Sequence, residues 1–164
     1  MRGKTEVHEE TRQLVIFRLG DEEFGVDILQ VREIEKLEQG VTRVPKAPAF
    51  VEGVINLRGD IVPIVDLRKR FGLLVREIGR ESRVIIVEVL NNLVGMMVDA
   101  VVEVLRVNVS AVENAPSITK GVDAFFLSGV VKMGERLVIL LDLERALSAE
   151  EAGQLKEVVS EPEA

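Results

Sequence analysis

Apolar and polar residues alternate along most of this chain in short runs, and turn-forming residues close each run. From Leu14 to Leu19, Val15, Phe17 and Leu19 alternate with Ile16 and Arg18, the period-two pattern of a half-buried strand. Gly20-Asp21-Glu22-Glu23 reads as a turn into a second strand beginning at Phe24, and Asp27 as a tight bend before an extended or short-helical stretch from Val31 to Leu37. Gly40, Pro45 and Pro48 break the connector between Leu37 and Ala49. The apolar runs Val54 to Leu57 and Ile61 to Val65 flank Arg58-Gly59-Asp60, which predicts a hairpin. Pro63 has no N–H for a ladder and belongs at an edge or a bulge. Asp66 is placed to cap a short helix, Leu67 to Phe71, that Gly72 ends, and Asp142 to cap another, Leu143 to Leu147. Leu105 to Phe126 is the longest loop candidate. Ser148-Ala149-Glu150-Glu151 is a capping box opening a last helix, with Ala152, Leu155 and Val159 on one face.

The pattern occurs twice. VEGVINLRGDIVPIVDL, from Val51, returns as LSGVVKMGERLVILLDL, from Leu127, an offset of 76 residues. VIFRLGDEEFGVDILQVREI, from Val15, returns as IIVEVLNNLVGMMVDAVVEV, from Ile85, an offset of 70. Gly25 thereby pairs with Gly95, Glu33 with Glu103, Gly53 with Gly129 and Asp66 with Asp142. About five short strands per repeat predict a mostly β chain of two small closed or partly open barrels. The expected organisation is a flexible tail over 1–12, a domain over 13–147 (repeat one about 13–76, repeat two about 83–147), and a C-terminal helix and tail over 148–164. One repeat alone buries too little surface to be robust, so the halves should share a core.

Composition narrows the function. Hydrophobic residues make up 47% of the chain, enough for a sizeable core, and Phe is the only aromatic. A formal net charge of −7 argues against nucleic acid, which calls for a basic footprint. The one basic triplet, Arg68-Lys69-Arg70, reads as the solvated face of a short helix. With no cysteine, neither a disulfide framework nor a thiolate metal site can form. The first twelve residues are polar and lack the apolar core of a signal peptide. Val89 to Val98, the longest uncharged stretch, is too short to span a bilayer, so a cytoplasmic protein without membrane insertion is expected. The only histidine, His8, begins an H-E-x-x-H pattern in which Arg12 stands where the second ligand belongs. No phosphate-binding glycine motif occurs, and Asp66 and Asp142 are explained as caps. The inventory predicts no enzyme, no metal and no cofactor.

The residues of the repeated hairpin carry a resemblance. PAFVEGVINLRGDIVPIVDL, from Pro48 to Leu67, is similar to the signature of the CheW-like family of bacterial chemotaxis coupling proteins. Val31-Arg32-Glu33-Ile34 and Val94-Gly95-Met96-Met97-Val98-Asp99 fall where that family has its other recognisable segments. The resemblance runs from about Leu14 to the terminal helix. It implies two five-stranded SH3-like β-barrels around a common hydrophobic core, with short closing helices and a C-terminal helix. It also implies a non-catalytic adaptor between the histidine kinase CheA, through the kinase's own CheW-like regulatory domain, and the cytoplasmic tips of methyl-accepting chemotaxis receptors. Such an adaptor is recruited to membrane-associated receptor arrays. Kinase and adaptor pair through barrel ends, and the receptor's helical hairpin docks in the groove between barrels.

Carried over residue by residue, Asn56, Leu57, Arg58 and Gly59 match the family's N-L-R-G turn and are assigned to kinase binding. Val31, Glu33, Arg58, Met96 and Val98 are assigned to receptor binding, with Met96 and Val98 as second-barrel groove walls. Arg58 matches the family arginine that pairs with a glutamate at Glu33. Each assignment has a structural counterpart that the sequence leaves open. Gly53 and Gly59 serve turn geometry, Glu33–Arg58 is an internal strut, and Val31, Met96 and Val98 are core. If Val31 to Glu33 is extended, both side chains share a face. Gly134 stands where Arg58 would recur, so the arginine's role does not transfer to repeat two, and the two barrel ends should face different partners. Three other readings remain: a coupling domain of a larger kinase or receiver fusion, an SH3-like barrel that binds nucleic acid, and a hydrolase working by carboxylates alone. The capped terminal helix and the ending Glu161-Pro162-Glu163-Ala164 favour a complete chain over the first.

Overall fold

A computed structural model describes residues 10–37, 41–75, 77–116, 118–119 and 121–147. The predicted C-terminal helix and most of the predicted tail, His8 included, lie outside these residues. The strands in chain order are β1 (Thr11–Leu19), β2 (Glu22–Asp27), β3 (Val31–Lys36), β4 (Val51–Leu57) and β5 (Asp60–Asp66), followed by helix α1 (Leu67–Phe71). Then come β6 (Arg83–Val89), β7 (Asn92–Val98), β8 (Ala100–Asn108), β9 (Val112–Glu113), β10 (Ile118–Thr119), β11 (Val122–Asp123), β12 (Leu127–Met133), β13 (Arg136–Leu141) and helix α2 (Leu143–Leu147). Both helices fall where the caps place them. Asp66 Oδ1 accepts the Arg68 N–H at 2.9 Å, Gly72 ends α1 in the left-handed region, and Asp142 Oδ1 accepts the Arg145 N–H at 3.2 Å.

The strands form a five-stranded sheet in the order β3-β6-β7-β5-β4, a six-stranded sheet in the order β8-β1-β2-β13-β12-β9, and the small pair β10-β11. Neither barrel corresponds to one repeat. The first takes β3, β4 and β5 from repeat one and the hairpin β6–β7 from repeat two. The second takes β8, β12 and β13 from repeat two and the hairpin β1–β2 from repeat one. The repeats have exchanged their leading hairpins, and equivalent contacts recur. Ile64 lies beside Gly95 where β5 runs parallel to β7, and Leu140 lies beside Gly25 where β13 runs parallel to β2. Both glycines let strands approach closely: a Cβ on Gly95 would stand 2.5 Å from Ile64 Cδ1, and one on Gly25 3.1 Å from Ile16 Cδ1.

Strict alternation sorts the side chains into three cores. Val62, Ile64, Val84, Ile86 and Met97 fill the first barrel, and Leu14, Ile16, Val107, Val131, Val138 and Leu140 the second. The opposite faces of the same strands (Val15, Phe17, Phe24, Val65, Ile85, Val87, Met96, Val98 and Ile139 among them) meet in one core between the barrels. Fully burying such a side chain contributes roughly 1.5–3 kcal/mol, so the shared layer binds the two barrels into one unit.

Several expectations need correction. Thr11 and Arg12, assigned to the tail, belong to β1, where Thr11 pairs with Asn108 of β8. β1 is buried on both faces from Leu14 to Phe17, because its second face lines a barrel. The presumed loop from Leu105 to Phe126 contains the end of β8 together with β9, β10 and β11. The basic triplet is not a solvated face. Arg68 is 5% exposed, Lys69 Nζ donates to Glu52 Oε1 at 2.5 Å, and Arg70 Nε donates to the Ala146 carbonyl at 2.8 Å. The Arg70 guanidinium lies between the Phe50 and Phe126 rings, 4.8 Å from each centroid. Phe50 and Phe126 are repeat equivalents, as are Arg70 and Ala146, so this stack sits where the two halves meet.

Candidate interaction surface

The β4–β5 hairpin ends in a two-residue turn, Arg58–Gly59, with φ of 50° and 94°. Positive φ at both central residues is the type I′ signature, whose twist matches that of the strands it joins. Asn56 Oδ1 accepts the Gly59 N–H at 2.8 Å and fixes the turn from inside. Arginine at positive φ is uncommon, and here its guanidinium reaches back to β3. Arg58 Nη1 donates to Glu33 Oε1 at 3.1 Å, and Nη2 donates to Oε2, a two-pronged charge-assisted pair. The Arg58 side chain is 70% exposed and that of Glu33 is 23% exposed. β3 and β4 are the two edges of the first sheet, so this pair spans its seam. Arg58 holds the Glu33 carboxyl below the usual carboxylate range, and a hydrogen bond with Glu33 raises that of Glu35.

Gly53 does not serve a turn. It lies at a bulge within β4 with φ of +147°, and a Cβ there would stand 2.0 Å from the Thr42 carbonyl oxygen. The 41–42 segment can therefore exchange two backbone hydrogen bonds with Val54, at 3.0 and 2.7 Å, and clamp the hairpin. Gly59, by contrast, does sit in the turn and faces open space.

The other predicted residues separate. Val31 pairs across β6 with Val87, and Glu33 with Ile86, because Arg32 is the extra residue of a bulge. Directly opposed residues share a face, so Val31 lies on the side of the shared core and Glu33 on the side of the barrel interior. The expectation that they share a face therefore fails. Val31 is half-buried against the shared core. Met96 and Val98 are 0% and 2% exposed, within that core, and their strand β7 belongs to the first barrel. They are core residues and present no groove wall. Asn56, Arg58 and Gly59 are exposed and Leu57 is half-buried.

One ionic cluster escaped the sequence. Glu103, the repeat equivalent of Glu33, lies 2.8 Å from Arg136 Nη2, and Arg136 Nε also donates to Glu23 Oε1 at 3.0 Å. Gly134 occupies the turn position equivalent to Arg58, and the arginine has moved two residues along, into β13. Glu103 was the available signal, since its repeat partner already had an assigned cation. Among the described residues no group of carboxylates and histidine is arranged to hold a metal ion, and no helix is long and apolar enough to cross a membrane.

Comparison with known proteins places this geometry. The family model for the CheW-like domain matches residues 13–151. The chain is 39% identical to the chemotaxis protein CheW of Treponema pallidum over 155 residues, covering 91% of this chain and 89% of that one. It is 41% identical to the CheW of Klebsiella aerogenes over 140 residues, covering 85% and 84%. Among solved structures, the scaffolding protein TtCheW of Thermoanaerobacter tengcongensis superposes with a TM-score of 0.80 at 37% identity, over 87% of this chain and 96% of that one.

Proposed function

The chain belongs to the CheW-like domain family, and from that premise we propose that it is a non-catalytic chemotaxis adaptor coupling the histidine kinase CheA to the cytoplasmic tips of methyl-accepting chemotaxis receptors. The observation that carries the reading is a relationship spanning nearly the whole chain, joined to an exposed and preorganised turn at Asn56 to Gly59. A fixed turn loses little conformational freedom on binding, which suits a surface whose task is association. In this reading Asn56, Leu57, Arg58 and Gly59 meet the kinase's regulatory domain. Val31, Glu33 and Arg58 contribute to the receptor contact, while Met96 and Val98 act only by supporting the strands behind it. The adaptor is then held at membrane-associated arrays through its receptor partners. Purified chain is titrated separately with the CheA regulatory domain and with a receptor-tip fragment. Binding of both at tens of micromolar or tighter, about −6 kcal/mol, is expected. Binding of neither overturns the proposal.

A further inference from the structure

Asp99 is the single residue between β7 of the first barrel and β8 of the second, the shorter of the two crossovers between β2–β3 and β7–β8. Its carboxylate gathers donors from both sides. Arg68, rooted in the helix that closes the first barrel, donates from Nε to Asp99 Oδ1 at 2.9 Å and from Nη2 to Oδ2. Gly20, in the β1–β2 turn of the second barrel, donates its N–H to Asp99 Oδ2 at 2.6 Å. Asp99's own N–H donates to the Arg18 carbonyl at 3.0 Å, and Arg68 Nη1 to the Leu74 carbonyl at 2.5 Å.

The repeat shows what stands at the opposite crossover. Asp99 corresponds to Leu29, Gly20 to Leu90 and Arg68 to Glu144. Leu29 is 80% exposed, and Leu90 is 52% exposed with φ of 48°. No guanidinium–carboxylate–amide cluster can be built from these three. Hydrophobic burial is non-directional, so the shared core sets the angle between the barrels less sharply than directional contacts do. Charge-assisted hydrogen bonds are directional. Arg70, between Phe50 and Phe126, lies where the halves meet and so can serve as a pivot.

We propose that Arg68, Asp99 and Gly20 form a one-sided latch that fixes the angle between the barrels, leaving the Leu29 and Leu90 face as the side on which they can part. Asp99 is a positioning residue that orients the β1–β2 turn against helix α1. The latch is a property of the isolated chain and does not rest on the adaptor reading.

The test uses the chain alone, so failure of partner binding cannot imitate failure of the latch. Because the protein has no cysteine, Lys36→Cys and Ser128→Cys place one spin label on each barrel without competing sites. Double electron–electron resonance should give one narrow distance distribution for the otherwise unaltered chain and about a twofold broader one for Asp99→Ala. Asp99→Asn, which keeps one acceptor oxygen but loses the charge and turns an NH2 donor toward a former donor, should fall between them. Ile64→Val, which thins only the first barrel's interior, should lower the melting temperature and leave the distance unchanged. A narrow, unshifted distribution in Asp99→Ala overturns the latch, as does equal broadening in Ile64→Val. If Asp99→Ala fails to fold, Arg68→Lys, which keeps the charge and loses the fork, is read by the same criteria.

Discussion

Replacing Gly53 with alanine, beside the same change at Gly59, separates dihedral strain from lack of space on one hairpin. Both glycines have positive φ, +147° and +94°, but a Cβ on Gly59 would meet nothing within 4 Å. Gly59→Ala therefore carries only the conformational cost, about 1–2 kcal/mol. At Gly53 the new methyl would lie 2.0 Å from the Thr42 oxygen and 2.8 Å from Val41 Cγ1, so the 41–42 segment must move. That movement breaks the two backbone bonds between Thr42 and Val54. Each is worth about 0.5–1.5 kcal/mol net, and crowding adds about 1–3. Because one displacement relieves several of these costs together, the expected loss is about 3–5 kcal/mol. For a chain of this size that lowers the melting temperature by roughly 6–20 °C, against roughly 2–8 °C for Gly59→Ala. Thermal and urea unfolding followed by circular dichroism measure both, and hydrogen exchange at the Val54 amide should accelerate only in Gly53→Ala. Equal losses, or a larger one at Gly59, would refute the close-approach account.

Arg58→Glu should weaken binding of the kinase and receptor fragments by about tenfold, and adding Glu33→Arg should restore part of it. Titration calorimetry decides, and a double mutant without recovery means that Arg58 acts without Glu33. The Glu33–Glu35 pair should titrate in two steps by carboxyl-carbon NMR, Glu33 below and Glu35 above the ordinary value of 4.5. Glu33 therefore adds stability that is present above the ordinary carboxylate range and lost as pH falls through its lowered pKa. Glu35 adds stability present below that range and lost as pH rises through its raised pKa. The reverse order of titration would sink the assignment. Gly95→Ala should destabilise by about 1–3 kcal/mol and Gly25→Ala by less, because the wider gap at Gly25 relaxes more easily. Urea midpoints that rank the two oppositely would count against the packing account.

The local chemistry of the chain was legible in its sequence. Asp66 and Asp142 cap the helices assigned to them, Arg58–Gly59 turns the predicted hairpin, and the repeat carries the fold. What escaped depends on how segments meet in space. The exchange of leading hairpins changes no residue's alternation, so periodicity cannot detect it. The bulge at Arg32 shifts the face of everything beyond it, which is why Val31 and Glu33 part. Met96 and Val98 read as a surface because alternation marks a buried face without saying what buries it. The basic triplet misled for a related reason: charge pattern does not reveal that Asp99, Glu52 and Ala146 wait on three different sides of α1.

The strand exchange constrains how the two halves can differ. Each barrel is completed by a hairpin from the other repeat, so a change in β2 or β7 is felt in the neighbouring barrel and in the shared core. Close approaches between backbones and the rings around Arg70 stay matched, as Gly25 and Gly95, Gly53 and Gly129, and Phe50 and Phe126 do. Within the core the halves diverge in size and stay apolar, as Phe17 with Val87 and Phe24 with Val94 do, while turns and crossovers also diverge in chemistry. Three unmatched pairs stand at such places: Arg58 with Gly134 at the hairpin ends, Asp99 with Leu29 at the crossovers, and Gly20 with Leu90 at the turns. Arg58, held to Glu33, and Asp99, with its two donors, are the polar members of those pairs, so each makes a side-chain contact that its repeat equivalent, Gly134 or Leu29, cannot make.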